Sequence, residues 1–394
     1  MQLTTAPSSP NPRPISAPSP SARREPALDA LRATVTLLVL FHHTAITYGA
    51  MGGWFYREIP TGSSIGTKLL TLFCAVNQAY FMGLFFLLAG YFTPSSVTRH
   101  GPWSYVKERM LRLGVPIIVF GFVIGPFTMA LAQTARGRSF AGTLMRLWGS
   151  ATFEIGPLWF AEALLIFSFA YVAWRWLAVC LRVEPRSNEP QGFPSNSILG
   201  LAALVTGATA FALRLVWPVG TQVAGLQLGY FASYVVLFAA GCMGASGHWL
   251  TDLPDKQRRT WLLLAWLTLP VLPAVLLLAP NVSALRGDAS GGWNIQAIVY
   301  AFWEPLIALG FIMGLLHAFE RTFLNLSRAW AALVRRAYAI YVIHPPVLVA
   351  IALAWRDVPA PALIKFAVTG IATCLGCFWL SGLLLRVPAA NRIL

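Results

Sequence analysis

Three ionisable side chains stand where a membrane-length apolar run ordinarily holds none. Between Ala27 and Gly49 the sequence sets Asp29, Arg32 and His43 among aliphatic residues, with His42 beside the last. At 100° per residue, the eleven steps from Arg32 to His43 come within about 20° of three full turns, and Asp29 lies one turn below Arg32. The three form one polar stripe, with His43 about 16 Å from Arg32 along the axis, while His42 falls about 80° off that face. A neutral imidazole in a dry bundle can take a proton from a hydroxyl, so His43 is a candidate general base. The competing reading is a histidine that merely hydrogen-bonds a neighbouring helix. His42 reads as packing or as the lining of a cavity.

Two acids extend the argument. Counted from the outer ends of their helices, Glu162 lies about 9 Å deep, Glu304 about 14 Å and His43 about 10 Å. That common layer leads to the expectation that Glu162 or Glu304 faces the His43 cavity and orients the base or the acceptor. A protonated carboxyl in a helix contact is the alternative. Arg109 and Arg112 are spaced i,i+3 and project from one face of a helix, as two guanidinium groups gripping phosphate would; simple anchoring at the cytoplasmic surface needs only their charge. Tyr341 precedes His344 by one turn, just before Pro345-Pro346. The pair reads first as a structural hydrogen bond at a proline kink and second as support for a site. His100, His248 and His317 fall at predicted cytoplasmic edges.

The Cys374-Leu375-Gly376-Cys377 spacing looks like a redox or metal pair, but no second pair or His cluster accompanies it, and no Gly-rich phosphate loop or G-x-S-x-G elbow is present. Neither a metal nor a tightly bound cofactor is expected. The five cysteines, Cys74, Cys180, Cys242, Cys374 and Cys377, all lie in apolar runs, where a thiol behaves as a small hydrophobe.

The elements that must position these groups follow from composition. Of 394 residues, 57% are hydrophobic and only 11% charged, with a mean hydropathy of +0.64. Soluble domains carry about a quarter charged residues. The chain is therefore an all-α polytopic membrane protein partnered with the lipid bilayer. Its net charge of +15 is spread thinly between apolar runs, which argues for topology and against a nucleic-acid groove. Residues 1–26 are rich in Pro and Ser and read as a disordered cytoplasmic tail. Residues 27–394 form the membrane domain. With about 20 residues per crossing, ten spans are expected, at 27–50, 67–92, 113–133, 156–181, 197–217, 228–249, 261–279, 295–319, 337–355 and 362–385. With both termini cytoplasmic, eighteen of the 29 Lys and Arg residues fall inside and eight outside, which selects that orientation. The absence of a repeat relating two halves counts against inverted-repeat transporters.

Five blocks in order bring a family into view. Leu28-Asp29-Ala30-Leu31-Arg32, ten residues and then His43 resemble the Arg-x10-His signature of the acyltransferase 3 family of membrane acyltransferases. Phe85-Phe86-Leu87-Leu88-Ala89-Gly90-Tyr91-Phe92 resembles its second-helix segment, and Arg109-Met110-Leu111-Arg112 its Arg-x-x-Arg motif. Pro157-Leu158-Trp159-Phe160 is similar to a block that more often carries His where this chain has Pro157. Tyr338-Ala339-Ile340-Tyr341-Val342-Ile343-His344-Pro345 resembles the late Tyr-x-His-Pro segment. The continuation Arg112-Leu113-Gly114-Val115-Pro116 resembles the glucan biosynthesis protein C branch, which succinylates periplasmic glucans.

The resemblance implies about ten helices, an acyl-CoA-type donor approached from the cytoplasm, and an acceptor hydroxyl, often on a sugar or other envelope component, in a bacterial inner membrane. It gives catalysis to His43 and the donor to Arg32, Arg109 and Arg112; Asp29, Glu162, Glu304, Tyr341 and His344 are possible supports. The rival expectation is an exporter of a glycan or small metabolite, in which the polar stripe is a permeation path and no covalent product forms.

Overall fold

The computed structural model describes residues 25–182 and 192–394. Most of the expected tail, residues 1–24, lies outside them, as does Arg186. The helices are α1 (Pro26–Thr47), α2 (Ile65–His100), α3 (Pro102–Arg136), α4 (Phe140–Gly149), α5 (Trp159–Cys180), α6 (Asn196–Val216), α7 (Phe231–Gly244), α8 (Asp255–Thr268), α9 (Val271–Leu278), α10 (Ile295–Thr322), α11 (Arg328–Ala354), α12 (Ala362–Leu384) and α13 (Pro388–Ile393). Ser64, Ser195, Asn294 and Ser327 start α2, α6, α10 and α11 by accepting the backbone N–H three residues on, which satisfies a donor the helix itself cannot.

Among the described residues nine spans are long and apolar enough to cross a membrane, α8 and α9 together making one. The sixth expected span is a shorter apolar stretch, Leu228–Gly244. It stops early because the chain turns back after Gly244: the Trp249 N–H reaches the Gly244 carbonyl at 3.2 Å, and the Trp249 ring fills the space a Gly244 side chain would need. α2, in contrast, runs past the expected Phe92 to His100. There the Tyr105 hydroxyl meets Thr93 of α2 and Ser168 of α5, each at 3.2 Å, tying three helices together.

α1, which carries the polar stripe, is the central helix. It packs against α2, α10, α11 and α12, and 67% of its apolar window is buried, more than in any other span. Four of its threonines, Thr34, Thr36, Thr44 and Thr47, donate to carbonyls one turn back, so their hydroxyls enter the bundle already satisfied. α2 and α7 cross in close backbone contact at Gly90 and Gly241, where a Cβ on either would overlap a carbonyl of the other helix.

Prolines inside the helices create a recurring device. A proline cannot donate to the carbonyl four residues back, and here side chains from elsewhere take over. Pro116 frees the Arg112 carbonyl, which accepts from the Tyr338 hydroxyl at 2.9 Å. Pro126 frees that of Phe122, which accepts from Trp148 Nε1 at 3.0 Å. Pro273 frees that of Leu269, approached by Trp303 Nε1 at 3.3 Å. α3 also contains two π-helical segments, Met110–Gly114 and Phe120–Ile124. At the second, the Gly121 carbonyl turns to the incoming loop and accepts the Glu154 N–H at 2.9 Å. Pro345 and Pro346 do not interrupt α11, which is helical from Arg328 to Ala354.

The two ends of the bundle are fastened differently. At the expected outer end, residues 48–64 fold over the bundle and Glu58 forms a buried ion pair with Lys365. Lys365 also donates to the Arg356 carbonyl at 3.0 Å. At the opposite end, Glu25 sits beside His248 and Asp252, and burial raises its carboxyl above the usual carboxylate range.

Candidate active site

His43 lies near the C-terminal end of α1, one turn before Thr47, and two other rings pack against its own. The indole of Trp54 stacks on it with centroids 3.9 Å apart and planes 14° from parallel. The His344 ring of α11 lies 5.3 Å away at 16°, and Trp54 is 5.7 Å from His344. The three rings are thus nearly parallel neighbours supplied by α1, α11 and the 48–64 loop. His42 turns to α2 and stacks on Phe81 at 5.0 Å, in line with its place off the stripe.

The sequence explains how His344 is held. Pro345 cannot supply the N–H that the Tyr341 carbonyl would receive in an uninterrupted helix, and His344 Nδ1 approaches that carbonyl at 2.6 Å. A carbonyl oxygen only accepts, so Nδ1 carries the proton and Nε2 presents a lone pair. Nε2 is buried and has no hydrogen-bond partner. The expected Tyr341–His344 bond therefore exists through the Tyr341 main chain, while the Tyr341 hydroxyl donates to the Pro157 carbonyl. Three further atoms on or beside these rings are buried without partners, His42 Nδ1, His43 Nδ1 and Trp54 Nε1. Buried polar groups are nearly always paired, so this concentration marks a place prepared for something polar.

The Trp54 loop is rigidly attached. The N–H groups of Glu58 and Ile59 donate to the Thr47 carbonyl at 2.9 and 3.2 Å, Arg57 donates to the Gly52 carbonyl at 2.5 Å, and Glu58 holds Lys365. Phe55 lies 5.1 Å from Trp54, edge to face, over Gly156. Gly156 has φ +46°, and a Cβ there would lie 2.9 Å from Phe55.

The other expected residues lie apart from this cluster. Asp29 and Arg32 pair with each other at 2.8 Å, with the Arg32 side chain 44% exposed; the stripe exists, but its lower half forms its own ion pair and does not reach His43. Glu304 is not the orienting partner expected for His43. It forms a buried ion pair with Arg214, whose guanidinium also lies 4.6 Å from the Tyr300 ring and whose Nε donates to the Gly229 carbonyl at 3.0 Å. An arginine in that apolar helix needs a buried anion more than a neutral imidazole does. Glu162 points elsewhere: its Oε2 is buried without a partner, on the side facing Gly225.

Arg109 and Arg112 straddle the start of the first π segment and take different partners. Arg109 lies over the Tyr105 ring at 4.9 Å. Arg112 is exposed and meets Glu108 at 3.3 Å. An exposed pair of this kind contributes about 0–1 kcal/mol, so Arg112 can exchange Glu108 for a phosphate at little cost. From there an aromatic line climbs α11. Tyr338 holds the Arg112 carbonyl, stacks on Tyr341 at 6.3 Å, and Tyr341 lies 6.0 Å from His344. A separate groove of about 850 Å³, lined by Val97, Pro102, Phe169, Arg175 and Trp176 among others, opens between α2, α3 and α5 and does not include His43.

Sequence reasoning missed Trp54, Arg214 and the fixed tautomer of His344. Arg214 was visible as a charge inside an apolar run. His344 was visible as a histidine next to a proline that orphans its own upstream carbonyl. Nothing local marked Trp54.

Against known proteins, a family model described as an acyltransferase domain, Acyl_transf_3, matches residues 25–382. No curated protein and no solved structure was found to match the chain. The family match spans α1 through nearly all of α12 and takes in both histidines of the stack, and the chain belongs to the acyltransferase 3 family of membrane acyltransferases.

Proposed function

We propose that the protein transfers an acyl group, acetyl or succinyl, from a cytoplasmic acyl-CoA-type donor to a hydroxyl of a sugar, glycan or other envelope acceptor. His43 is the general base: it removes the acceptor's hydroxyl proton as the oxygen attacks the thioester carbonyl. His344 supports it with a second lone pair of fixed direction. Arg109 and Arg112 hold the donor's nucleotide phosphates, and Arg32 helps to guide or balance the anionic donor. The membrane is the inner membrane of a bacterium, with both termini in the cytoplasm, as the distribution of Lys and Arg favours. One observation carries the reading: His43 of the family signature packs against both Trp54 and His344, with unpaired ring nitrogens on both histidines.

The test compares surface glycans and small metabolites by mass spectrometry in cells with and without the gene, and with His43→Ala. Loss of an acyl mass in both the deletion and the variant is expected. A missing glycan of unaltered chemistry points to export instead, and a His43→Ala protein that inserts normally and still acylates removes His43 from the mechanism.

A further inference from the structure

Acyl transfer through a base alone is incomplete. When the hydroxyl oxygen adds to a thioester carbonyl, charge collects on the carbonyl oxygen, and a preorganised donor aimed there is commonly the largest catalytic contribution. The sequence offered a base but no such donor. Around His43 and His344 the lone pairs are plentiful; what is scarce is an N–H with nothing to bind.

Three N–H-bearing side-chain atoms among the described residues are buried and unpartnered by virtue of their chemistry as donors: Trp54 Nε1, Asn77 Nδ2 and Arg214 Nη1. Arg214 is committed to Glu304 through its other nitrogens. Asn77 lies on α2, where its amide oxygen accepts from Tyr80. Trp54 alone stacks directly on His43. An indole nitrogen can only donate, so Nε1 requires an acceptor, and the loop bonds at Thr47, Gly52 and Lys365 fix it in place before any substrate arrives.

We propose that Trp54 is a catalytic residue, whose Nε1–H donates to the oxyanion formed on the thioester carbonyl; the assignment rests on the acyl-transfer reading above. In the addition step the acceptor oxygen bonds to the carbonyl carbon, its proton passes to His43, and the carbonyl electron pair moves onto oxygen, where Trp54 receives it. In the collapse step that pair re-forms the C=O bond, the C–S bond breaks with its electrons on sulfur, and the thiolate takes the proton from His43. The ester and the free thiol leave, and both side chains are restored. Stacking on His43 gives Trp54 its place, but the N–H does the chemistry.

The experiment separates those two contributions. Full-length protein in proteoliposomes is assayed for thiol release from acetyl-CoA and succinyl-CoA with methyl glucoside as acceptor. Wild type is compared with Trp54→Phe and with protein carrying 3-benzothienylalanine at position 54, an isostere in which sulfur replaces the N–H. Removal of one oxyanion donor lowers kcat by about 10²–10³, so both proteins should lose kcat by that order with little change in the donor KM. Wild-type turnover in the benzothienylalanine protein overturns the assignment and leaves Trp54 a packing residue. If wild type turns over and His43→Ala does too, the base fails while Trp54 is judged on its own variants. If wild type releases no thiol above protein-free vesicles from either donor, the acyl-transfer reading falls and the oxyanion role with it.

Discussion

At the scale of single residues, the site depends on a hydrogen bond that one proline makes available. Pro345 leaves the Tyr341 carbonyl free, His344 Nδ1–H takes it, and Nε2 is thereby fixed as an acceptor beside His43. Replacing Pro345 with Ala returns a backbone N–H that competes for the same carbonyl. Proline in a helix interior costs roughly 3 kcal/mol relative to alanine, so Pro345→Ala should leave Tm unchanged or raise it. Activity should move the opposite way. With its tautomer released, His344 no longer presents a lone pair in one direction, and kcat should fall roughly tenfold, a fraction of the 10²–10⁴ typical of a positioned acid or base. Thermal unfolding in detergent and thiol-release kinetics check the two halves, and a stabilised variant of full activity would make the His344 bond merely structural. The sequence shows Pro345 and His344 side by side, and helical spacing alone gives the orphaned carbonyl. It does not show which donor will claim it, because Tyr338 and Trp148 reach equivalent carbonyls from distant segments. Trp54 was illegible for the same reason: a tryptophan in a loop carries no periodicity, and only the folded chain lays it on His43.

At the scale of elements, hydrophobic length located the nine spans and the shorter apolar helix found among the described residues, since a helix is forced wherever backbone groups meet lipid. It could not set how far each helix runs beyond the bilayer or how closely two approach. α2 continues to His100 and α7 stops at Gly244, and both facts come from contacts, not composition. Depth counting failed in a related way for Glu304. It placed the acid in the same layer as His43 but said nothing of azimuth, and the charge of Arg214 decided where the carboxylate turned. The crossing of α2 and α7 gives a test with an internal control. Gly→Ala in a helix with free space around it stabilises by about 0.4–1 kcal/mol. Gly200 on α6 has nothing within 4 Å of an added Cβ, whereas at Gly241 that atom would overlap the Leu87 carbonyl. Gly200→Ala should keep or raise Tm. Gly241→Ala should lower it, by the 1–3 kcal/mol or so typical of overpacking, because the obstacle is backbone and cannot swing aside. Equal thermal shifts for the two would mean that the helices are not in close contact there.

For the molecule as a whole, the arginine pair and the proposed reacting centre occupy different parts of the bundle. The two imidazoles lie under the 48–64 loop, pinned by Glu58 and Lys365, whereas Arg109 and Arg112 lie at the start of α3. The line Tyr338, Tyr341, His344 joins them, rising about 9 Å along α11 at 1.5 Å per residue. A donor suited to this arrangement has a phosphate-bearing head and a reactive group at the end of an extended arm, which agrees with an acyl-CoA-type molecule. On the proposed reading the arginines bind a part of the donor that does not change during the reaction. Interactions equal in ground and transition states affect KM and leave kcat alone. Arg109→Ala with Arg112→Ala should therefore raise the donor KM by at least tenfold, given about 1.5–3 kcal/mol for each hydrogen bond to a charged group, at nearly constant kcat. Salt supplies the second signature. Exposed charge pairs weaken as the screening length falls from about 10 Å at 0.1 M to about 3 Å at 1 M. The wild-type donor KM should rise across that range, and the double variant, with nothing left to screen, should respond much less. Steady-state kinetics at both salt concentrations measure both effects. An unchanged KM in the double variant would return Arg109 and Arg112 to membrane anchoring, and a loss confined to kcat would place them at the reaction itself, which their position at the foot of α3 does not allow.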